Sequence, residues 1–170
     1  MYRVARFYKV SEAQFEKGWQ DTFGQAVDAD VYENLKLPER ATAGSAGYDF
    51  FSPLTFSLAP GETIKIPTGV RAEIREGWVL QCYPRSGLGF KYRLQLNNTV
   101  GIIDSDYFYS DNEGHIFAKI TNDSKDGKML TVEVGQGFMQ GIFVPFGITE
   151  DDNVTAVRNG GFGSTTKQKM

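Results

Sequence analysis

Short apolar runs, separated by turn-forming residues, make up the chain from Tyr48 onward. The turns between them include Ala59-Pro60-Gly61 and Asp126-Gly127, and Asp-Gly is a strong signal for a tight turn. The predicted strands are Tyr48–Phe51, Thr63–Ile66, Gly69–Ile74, Trp78–Tyr83, Leu94–Leu96, His115–Thr121, Met129–Val134 and Phe138–Phe146. Many short strands at this spacing predict an all-β sandwich or barrel. The pattern shows no second domain and no internal repeat.

The N-terminal part of the chain follows a different pattern. Tyr2–Val10 alternates and predicts a first strand. Ser11-Glu12-Ala13-Gln14 has the form of a helix capping box, and Gly24 is placed to end the helix. We therefore expect a short N-terminal helix over about residues 12–23, with an apolar face formed by Ala13, Phe15, Trp19 and Phe23. Residues 25–39 are polar and mixed, and the pattern assigns no element to them.

The tail from Arg158 to Met170 differs from the strands. Gly160, Gly161 and Gly163 surround Phe162, and hydroxyl residues follow. Such a composition resists folding alone, so the tail either frays or becomes ordered over a ligand. The expected division is a single β domain over residues 1–157 and a flexible glycine-rich arm over 158–170.

Composition and charge narrow the possible functions. The length of 170 residues fits one domain, and 19 glycines with 14% aromatic residues suit short strands joined by tight turns. Lys and Arg number 18 against 21 Asp and Glu, for a net charge of −3, so general binding of nucleic acid is not expected. Cys82 is the only cysteine, which favours a reducing compartment and a cytoplasmic location. Neither a signal peptide nor a membrane span is predicted.

Two glycine-containing segments carry candidate binding residues. Asp49 follows a run of small residues and offers a hard oxygen donor suited to magnesium or its waters, although a capping aspartate in a loop is the alternative. Arg85-Ser86-Gly87 follows an apolar strand. An arginine fork with serine and backbone amides can bind phosphate oxygens, and the alternative is a polar turn with an exposed arginine.

Two later segments add a candidate base and two amides. Asp104 follows an apolar run, so it is a plausible partly buried carboxylate that could activate a water. Asn98 could read the edge of a base, and the alternative for this segment is a hairpin with acidic turn residues. Gln140 stands in an otherwise apolar strand, and a buried amide needs hydrogen bonds from a ligand or from backbone.

The order of these segments is more specific than any one of them. The segments are, in order, Asp49, Arg85-Ser86-Gly87, Asn98 with Asp104 and Tyr107, Gln140, and the Gly-Gly-Phe-Gly run ending in Ser164 and Thr165. This order resembles the five ordered motifs of the trimeric dUTPase family. The resemblance covers about residues 41–166.

The resemblance implies a jelly-roll-like (β-clip) subunit that forms a homotrimer, with each active site shared between subunits. It implies hydrolysis of dUTP to dUMP and pyrophosphate, which limits uracil in DNA and supplies dUMP for dTMP synthesis. The implied catalytic residues are Asp104, which activates the water that attacks the α-phosphorus, with Arg85 and Gln140. Magnesium (Mg2+) is the implied cofactor, reached from Asp49 through water.

The resemblance also implies how the substrate is held. Asn98 reads uracil, a tight hairpin excludes thymine, and Tyr107 packs on the deoxyribose. Phe162 stacks on the base. The implied substrate-binding residues are Ser86, Gly87, Asn98, Tyr107, Gln140, Arg158, Phe162, Gly163, Ser164 and Thr165.

The chain departs from the family pattern at three places. Residues 108–113 are an insertion directly after Tyr107, Arg158 lies one residue closer to the Gly-Gly-Phe-Gly run than is usual, and residues 11–38 have no family role. His115 is the only histidine, and a surface or strand position is expected rather than catalysis. The added helix is expected to cover an edge strand or a subunit joint.

Two other functions remain open. A dCTP deaminase shares the fold and the triphosphate site, but it needs a glutamate over the base, and the third motif offers none before Glu113. A non-enzymatic trimer that binds other proteins is the second alternative. A regulatory protein partner, contacting the insertion or the added helix, is compatible with the enzyme as well.

Overall fold

The computed structural model describes residues 2–158 and consists mainly of short antiparallel strands. The strands are β1 Ala5–Lys9, β2 Tyr48–Phe51, β3 Phe56–Leu58, β4 Thr63–Pro67, β5 Val70–Ile74, β6 Trp78–Pro84, β7 Gln95–Leu96, β8 Gly101–Ile103, β9 Phe117–Thr121, β10 Leu130–Val132 and β11 Gly137–Pro145. The helices are α1 Glu12–Phe23, α2 Ala29–Glu33 and α3 Ser86–Tyr92, with a 3₁₀ helix at Ser105–Tyr109. Among the described residues, no helix is long and apolar enough to cross a membrane.

The strands form four small sheets around one main core. A four-stranded sheet has the order β2-β11-β6-β8, and a three-stranded sheet has the order β4-β9-β7. The pairs β1-β5 and β3-β10 complete the architecture. The side chains between these sheets are aliphatic and aromatic, and the largest fully buried ones include Phe50, Leu80 and Phe138. Burial of this apolar surface is the main force that holds the sheets together. The all-β prediction is confirmed, while the division into a domain and an arm at residue 158 stays a prediction.

Helix α1 is confirmed with the bounds that its end signals predict. The Ser11 hydroxyl accepts from the Gln14 N–H at 3.2 Å, and Gly24 ends the helix in the left-handed conformation at φ 71°. Phe15 and Trp19 are buried in a second, smaller apolar cluster with Val10 and Leu35. The helix contacts β4, which is an edge strand of its sheet, as the sequence predicted.

Two details of the helix prediction are wrong. Ala13 is exposed, because the buried face is centred on Phe15 and Trp19. The capping box is not closed by Gln14, whose side chain turns to His115 instead. The Ser11 N–H donates to the Glu113 carboxylate at 2.8 Å, so the insertion supplies the acceptor that a capping box takes from the helix itself.

His115 is fully buried beneath helix α1 and lies just before strand β9, whereas a surface or strand position was expected. Its Nε2 accepts from the Gly69 backbone N–H at 2.9 Å, so the neutral ring carries its proton on Nδ1. Gln14 Nε2 lies 3.4 Å from Nδ1. Because an amide nitrogen cannot accept a proton, Gln14 pairs with Nδ1–H when its amide oxygen and nitrogen are exchanged. Gly18 allows this contact, since a Cβ there would lie 2.9 Å from the ring. Burial lowers the pKa of His115 to about 4.

The folded protein is expected to lose stability as the pH falls from about 6.5 to about 4, because His115 in the unfolded chain takes up a proton at a higher pH than buried His115 does. Above the pKa that His115 has in the unfolded chain, the free energy of unfolding keeps the whole contribution of His115. Across this window, protonation of His115 alone lowers the free energy of unfolding by up to roughly 3 kcal/mol. Urea unfolding at several pH values measures this. His115→Gln still accepts from Gly69 but does not titrate in this range. An equally steep pH dependence in that variant would assign the effect to other groups.

Candidate active site

The first group of predicted site residues lies at the junction of β2, β6 and β11. Asp49 on β2 is directly opposite Gln140 on β11. Arg85 follows β6 and precedes α3, and its Nε lies 3.1 Å from Asp49 Oδ1. Strand pairing therefore brings together an acid, an arginine and an amide that are far apart in sequence. The side chain of Arg85 is 41% exposed, so the guanidinium can also reach an anion in solvent.

Small residues pack around these side chains. Gln140 Nε2 donates to the Pro84 carbonyl at 3.1 Å, which satisfies one side of its amide through backbone. A Cβ at Gly47 would lie 2.5 Å from Gln140 Oε1, and one at Gly137 would lie 3.0 Å from Arg85 Nη1. A side chain at either position would therefore displace the end of Gln140 or of Arg85 from its place in the site.

Ser86 and Gly87 form the first turn of α3, directly after Arg85. The sequence assigned no helix to this segment. A shallow cavity of about 260 Å³ lies at this turn and is bordered by Arg85, Ser86 and Phe90. Ser86 and Gly87 thus follow the guanidinium-bearing residue directly, and their contact with phosphates stays a prediction.

The second group follows strand β8. Asp104 comes directly after β8 and its Oδ2 accepts from Arg158 Nη2 at 2.5 Å. Asp106 Oδ1 accepts from Arg158 Nε at 2.9 Å, so one guanidinium joins both carboxylates. The Asp104 side chain remains 45% exposed, which leaves it accessible to water. Arg158 contacts these acids in the described chain, and its predicted contact with phosphate stays a prediction.

Tyr107 is less accessible than the resemblance implied. It is only 3% exposed, and burial raises the pKa of its hydroxyl. The hydroxyl donates to the His115 carbonyl at 2.7 Å. The Arg158 guanidinium carbon lies 5.9 Å from the ring centroid. The ring of Tyr107 is therefore covered by its neighbours in the described chain, and its contact with the deoxyribose stays a prediction.

A cavity with a volume of about 530 Å³ contains Asn98 in its wall. The residues around it are mostly apolar, and they include Gly101, Ile103, Ile116 and Phe117. Cys82 also borders it, and burial raises the pKa of this thiol to about 12, so the thiol is protonated and unreactive near neutral pH. The cavity size and lining suit the flat, partly apolar part of a small ligand.

The structure therefore brings the predicted residues into two groups, one around Asp49 and one around Asp104. Phe162, Gly163, Ser164 and Thr165 lie outside the described residues. Sequence reasoning missed Asn112, which lines the cavity and belongs to the insertion. It also missed Arg71, whose guanidinium donates to the Phe108 carbonyl at 2.6 Å and holds the insertion in place.

An arginine placed to hold an anion, with a solvent-accessible carboxylate placed to activate water, is an arrangement typical of hydrolases that act on phosphorylated ligands. Comparison with known proteins identifies the family. The dUTPase family model matches residues 33–166, and the chain belongs to the dUTPase family.

Curated relatives and solved structures agree with this assignment. The deoxyuridine 5'-triphosphate nucleotidohydrolase of Lactococcus lactis is 42% identical over 139 residues, covering 79% of this chain and 91% of the relative. The corresponding protein of Shigella flexneri is 37% identical over 150 residues, covering 84% and 95%. The dUTPase of Streptococcus mutans superposes with a TM-score of 0.63 at 35% identity, covering 85% of this chain and 98% of that one.

A more distant structure shares the fold. The dUTPase of phage phi11 of S. aureus superposes with a TM-score of 0.62 at 23% identity, covering 91% of this chain and 98% of the other. In that protein a structural Mg(II) ion is coordinated.

Proposed function

We propose that this protein hydrolyses dUTP to dUMP and pyrophosphate, with Asp104 activating the water that attacks the α-phosphorus. The observation that carries the proposal is the family match over residues 33–166, which includes all five motifs. The accessible carboxylate of Asp104 supports the assignment of the base, because a general base must reach both water and the reacting atom. The relatives' names state the same substrate.

In this proposal the phosphates are held by Arg85, Ser86, Gly87 and Gln140. The guanidinium presents several N–H donors in a fixed plane, so it can keep Asp49 as a partner and bind a phosphate oxygen with its remaining donors. Donors fixed before the substrate binds stabilise the charge that develops on the phosphate in the transition state.

Magnesium is the proposed cofactor, and Asp49 suits it through a bound water. A carboxylate is the donor type that magnesium prefers, but no group of three or more His, Cys, Asp or Glu side chains within residues 2–158 could hold a metal ion. The substrate's phosphates and water are therefore expected to supply most ligands. When bound, the ion neutralises charge on the triphosphate and on the departing pyrophosphate.

Asn98 and the cavity beside it receive the nucleoside in this proposal. The apolar walls suit the faces of uracil, and the Asn98 amide can pair with the base edge. Tyr107 supports the deoxyribose. The family motif assigns contacts with the base and the γ-phosphate to Phe162, Gly163, Ser164 and Thr165.

The assembly is proposed to be a homotrimer whose active sites combine the groups around Asp49 and Asp104 with an arm from another subunit. In the described chain Arg158 occupies one oxygen of Asp104. Recruitment of Arg158 to the triphosphate frees that carboxylate to take a proton from water. The cytoplasm is the expected compartment, and a regulatory protein partner at the insertion or at α1 is a further proposal.

Release of pyrophosphate from dUTP, with dTTP, dCTP and UTP measured alongside and with magnesium present or chelated, tests the proposed function. We expect rapid release from dUTP alone, with loss on chelation. Ammonia released from dCTP would favour the deaminase alternative. A folded trimer that releases nothing from any nucleotide would favour the binding-protein alternative.

A further inference from the structure

Asn112 occupies an unusual position, because it belongs to the insertion and also lines the cavity that contains Asn98. Its Oδ1 accepts from the Gly114 backbone N–H at 3.1 Å, and its Nδ2 donates to the Tyr107 hydroxyl at 2.8 Å. The insertion therefore adds an amide to the cavity wall. This amide contacts Tyr107, the residue that the third motif places beside the sugar.

The orientation of this amide is fixed by backbone groups. A backbone N–H can only donate, so the atom facing Gly114 must be the oxygen of Asn112. The Tyr107 hydroxyl gives its only proton to the His115 carbonyl, so it must accept from Asn112. Nδ2 carries a second hydrogen, and no acceptor for it is found within residues 2–158.

The loop that carries Asn112 is held at considerable conformational cost. Glu113 has φ 58° and Gly114 has φ 71°, so a non-glycine residue occupies the left-handed region. Its carboxylate accepts from Ser11 N at 2.8 Å and from Ser11 Oγ at 2.6 Å. On the other side of the loop, the Arg71 guanidinium lies 3.6 Å from the Phe108 ring centroid. These contacts fix the loop to the start of helix α1 and to strand β5.

We propose that Asn112 is a further nucleoside-binding residue, which donates its second Nδ2 hydrogen to an oxygen of the bound nucleoside. The inference rests on the proposed function and assigns a new contact within that site. The mostly apolar wall around Asn112 suits a base and sugar. Lys65 and Lys119 also border the cavity, so binding of the phosphate part is the alternative that the test must separate.

The test measures binding of dUMP and of pyrophosphate by calorimetry, and kcat and KM for dUTP, in Asn112→Ala and Asn112→Asp. The aspartate keeps an oxygen for Gly114 but has no N–H to donate. We expect both variants to weaken dUMP binding and to raise KM by roughly threefold to tenfold, the loss of one hydrogen bond, with kcat nearly unchanged. Pyrophosphate binding is expected to remain as in the wild type.

Tyr107→Phe separates contact with the ligand from support of Tyr107. If Asn112 contacts the nucleoside, Asn112→Ala weakens dUMP binding in the Tyr107→Phe background as well. No further loss in that background would overturn the proposal, as would full dUMP affinity in Asn112→Asp. Equal losses for dUMP and pyrophosphate would also overturn it. A wild-type protein that binds dUMP but does not hydrolyse dUTP would contradict the proposed function while leaving this contact testable.

Discussion

Asp104→Asn is expected to lower kcat for dUTP by about two to four powers of ten, with the oligomer and the affinity for a non-hydrolysable analogue retained. The amide has nearly the shape of the carboxylate, but it cannot take a proton from the attacking water. Its oxygen can still accept from Arg158, so the loop after β8 should keep its position. Single-turnover measurements of dUMP formation would isolate the chemical step.

Asp106→Asn is the matched control for this variant. Asp106 contacts the same guanidinium as Asp104, and its side chain is 48% exposed against 45% for Asp104. If Asp104 acts as the base, Asp106→Asn should keep a kcat within about threefold of the wild type, as expected for a surface change. Equal losses in the two variants would indicate that release of Arg158, rather than loss of a base, causes the defect.

The sequence predicts those parts of the fold that have strong local signals. Helix α1 has Ser11 before it and Gly24 after it, and both act as caps in the structure. The longer strands are rich in apolar residues, and their predicted bounds agree with the structure within a few residues. Helix α3 was missed because Gly87 and Gly89 lower its helix propensity. Strands β3 and β8 were missed, although β7 and β10, which are no longer, were predicted, so length alone does not decide which short strands the pattern reveals.

The candidate site is predicted where a motif carries it and missed where tertiary contacts create it. Asp49, Arg85 and Gln140 meet because β2, β6 and β11 are neighbours in one sheet. In contrast, the contact of Glu113 with Ser11 joins residues 102 positions apart, and no local sequence pattern predicts it. The same holds for Asn112, whose place in the cavity depends on the path of the insertion. Burial of Tyr107 was also missed, because it depends on tertiary packing that no local pattern carries.

Arg85→Ala is expected to reduce kcat/KM for dUTP by about two to three powers of ten, and Arg85→Lys by about one to two. The guanidinium can contact Asp49 with Nε and still direct other N–H donors elsewhere, including Nη1 toward the Gly137 carbonyl at 3.5 Å. A lysine has one nitrogen on a flexible stem, so it cannot hold Asp49 and a phosphate in the same fixed plane. Steady-state kinetics with dUTP at saturating magnesium measures both losses.

Arg93→Lys is the control that separates this geometry from a general loss of arginine. Its Nε lies 3.1 Å from Asp123 Oδ2, the same separation as between Arg85 and Asp49, but on a more exposed surface. An exposed ion pair contributes little, so this variant should keep wild-type kinetics. If Arg85→Lys also kept wild-type kinetics, Arg85 would serve only as the partner of Asp49. The phosphates would then have to be held by Ser86, Gly87 and Gln140. A loss confined to the Arg85 variants would place the planar fork at the substrate, where it binds Asp49 and a phosphate oxygen together.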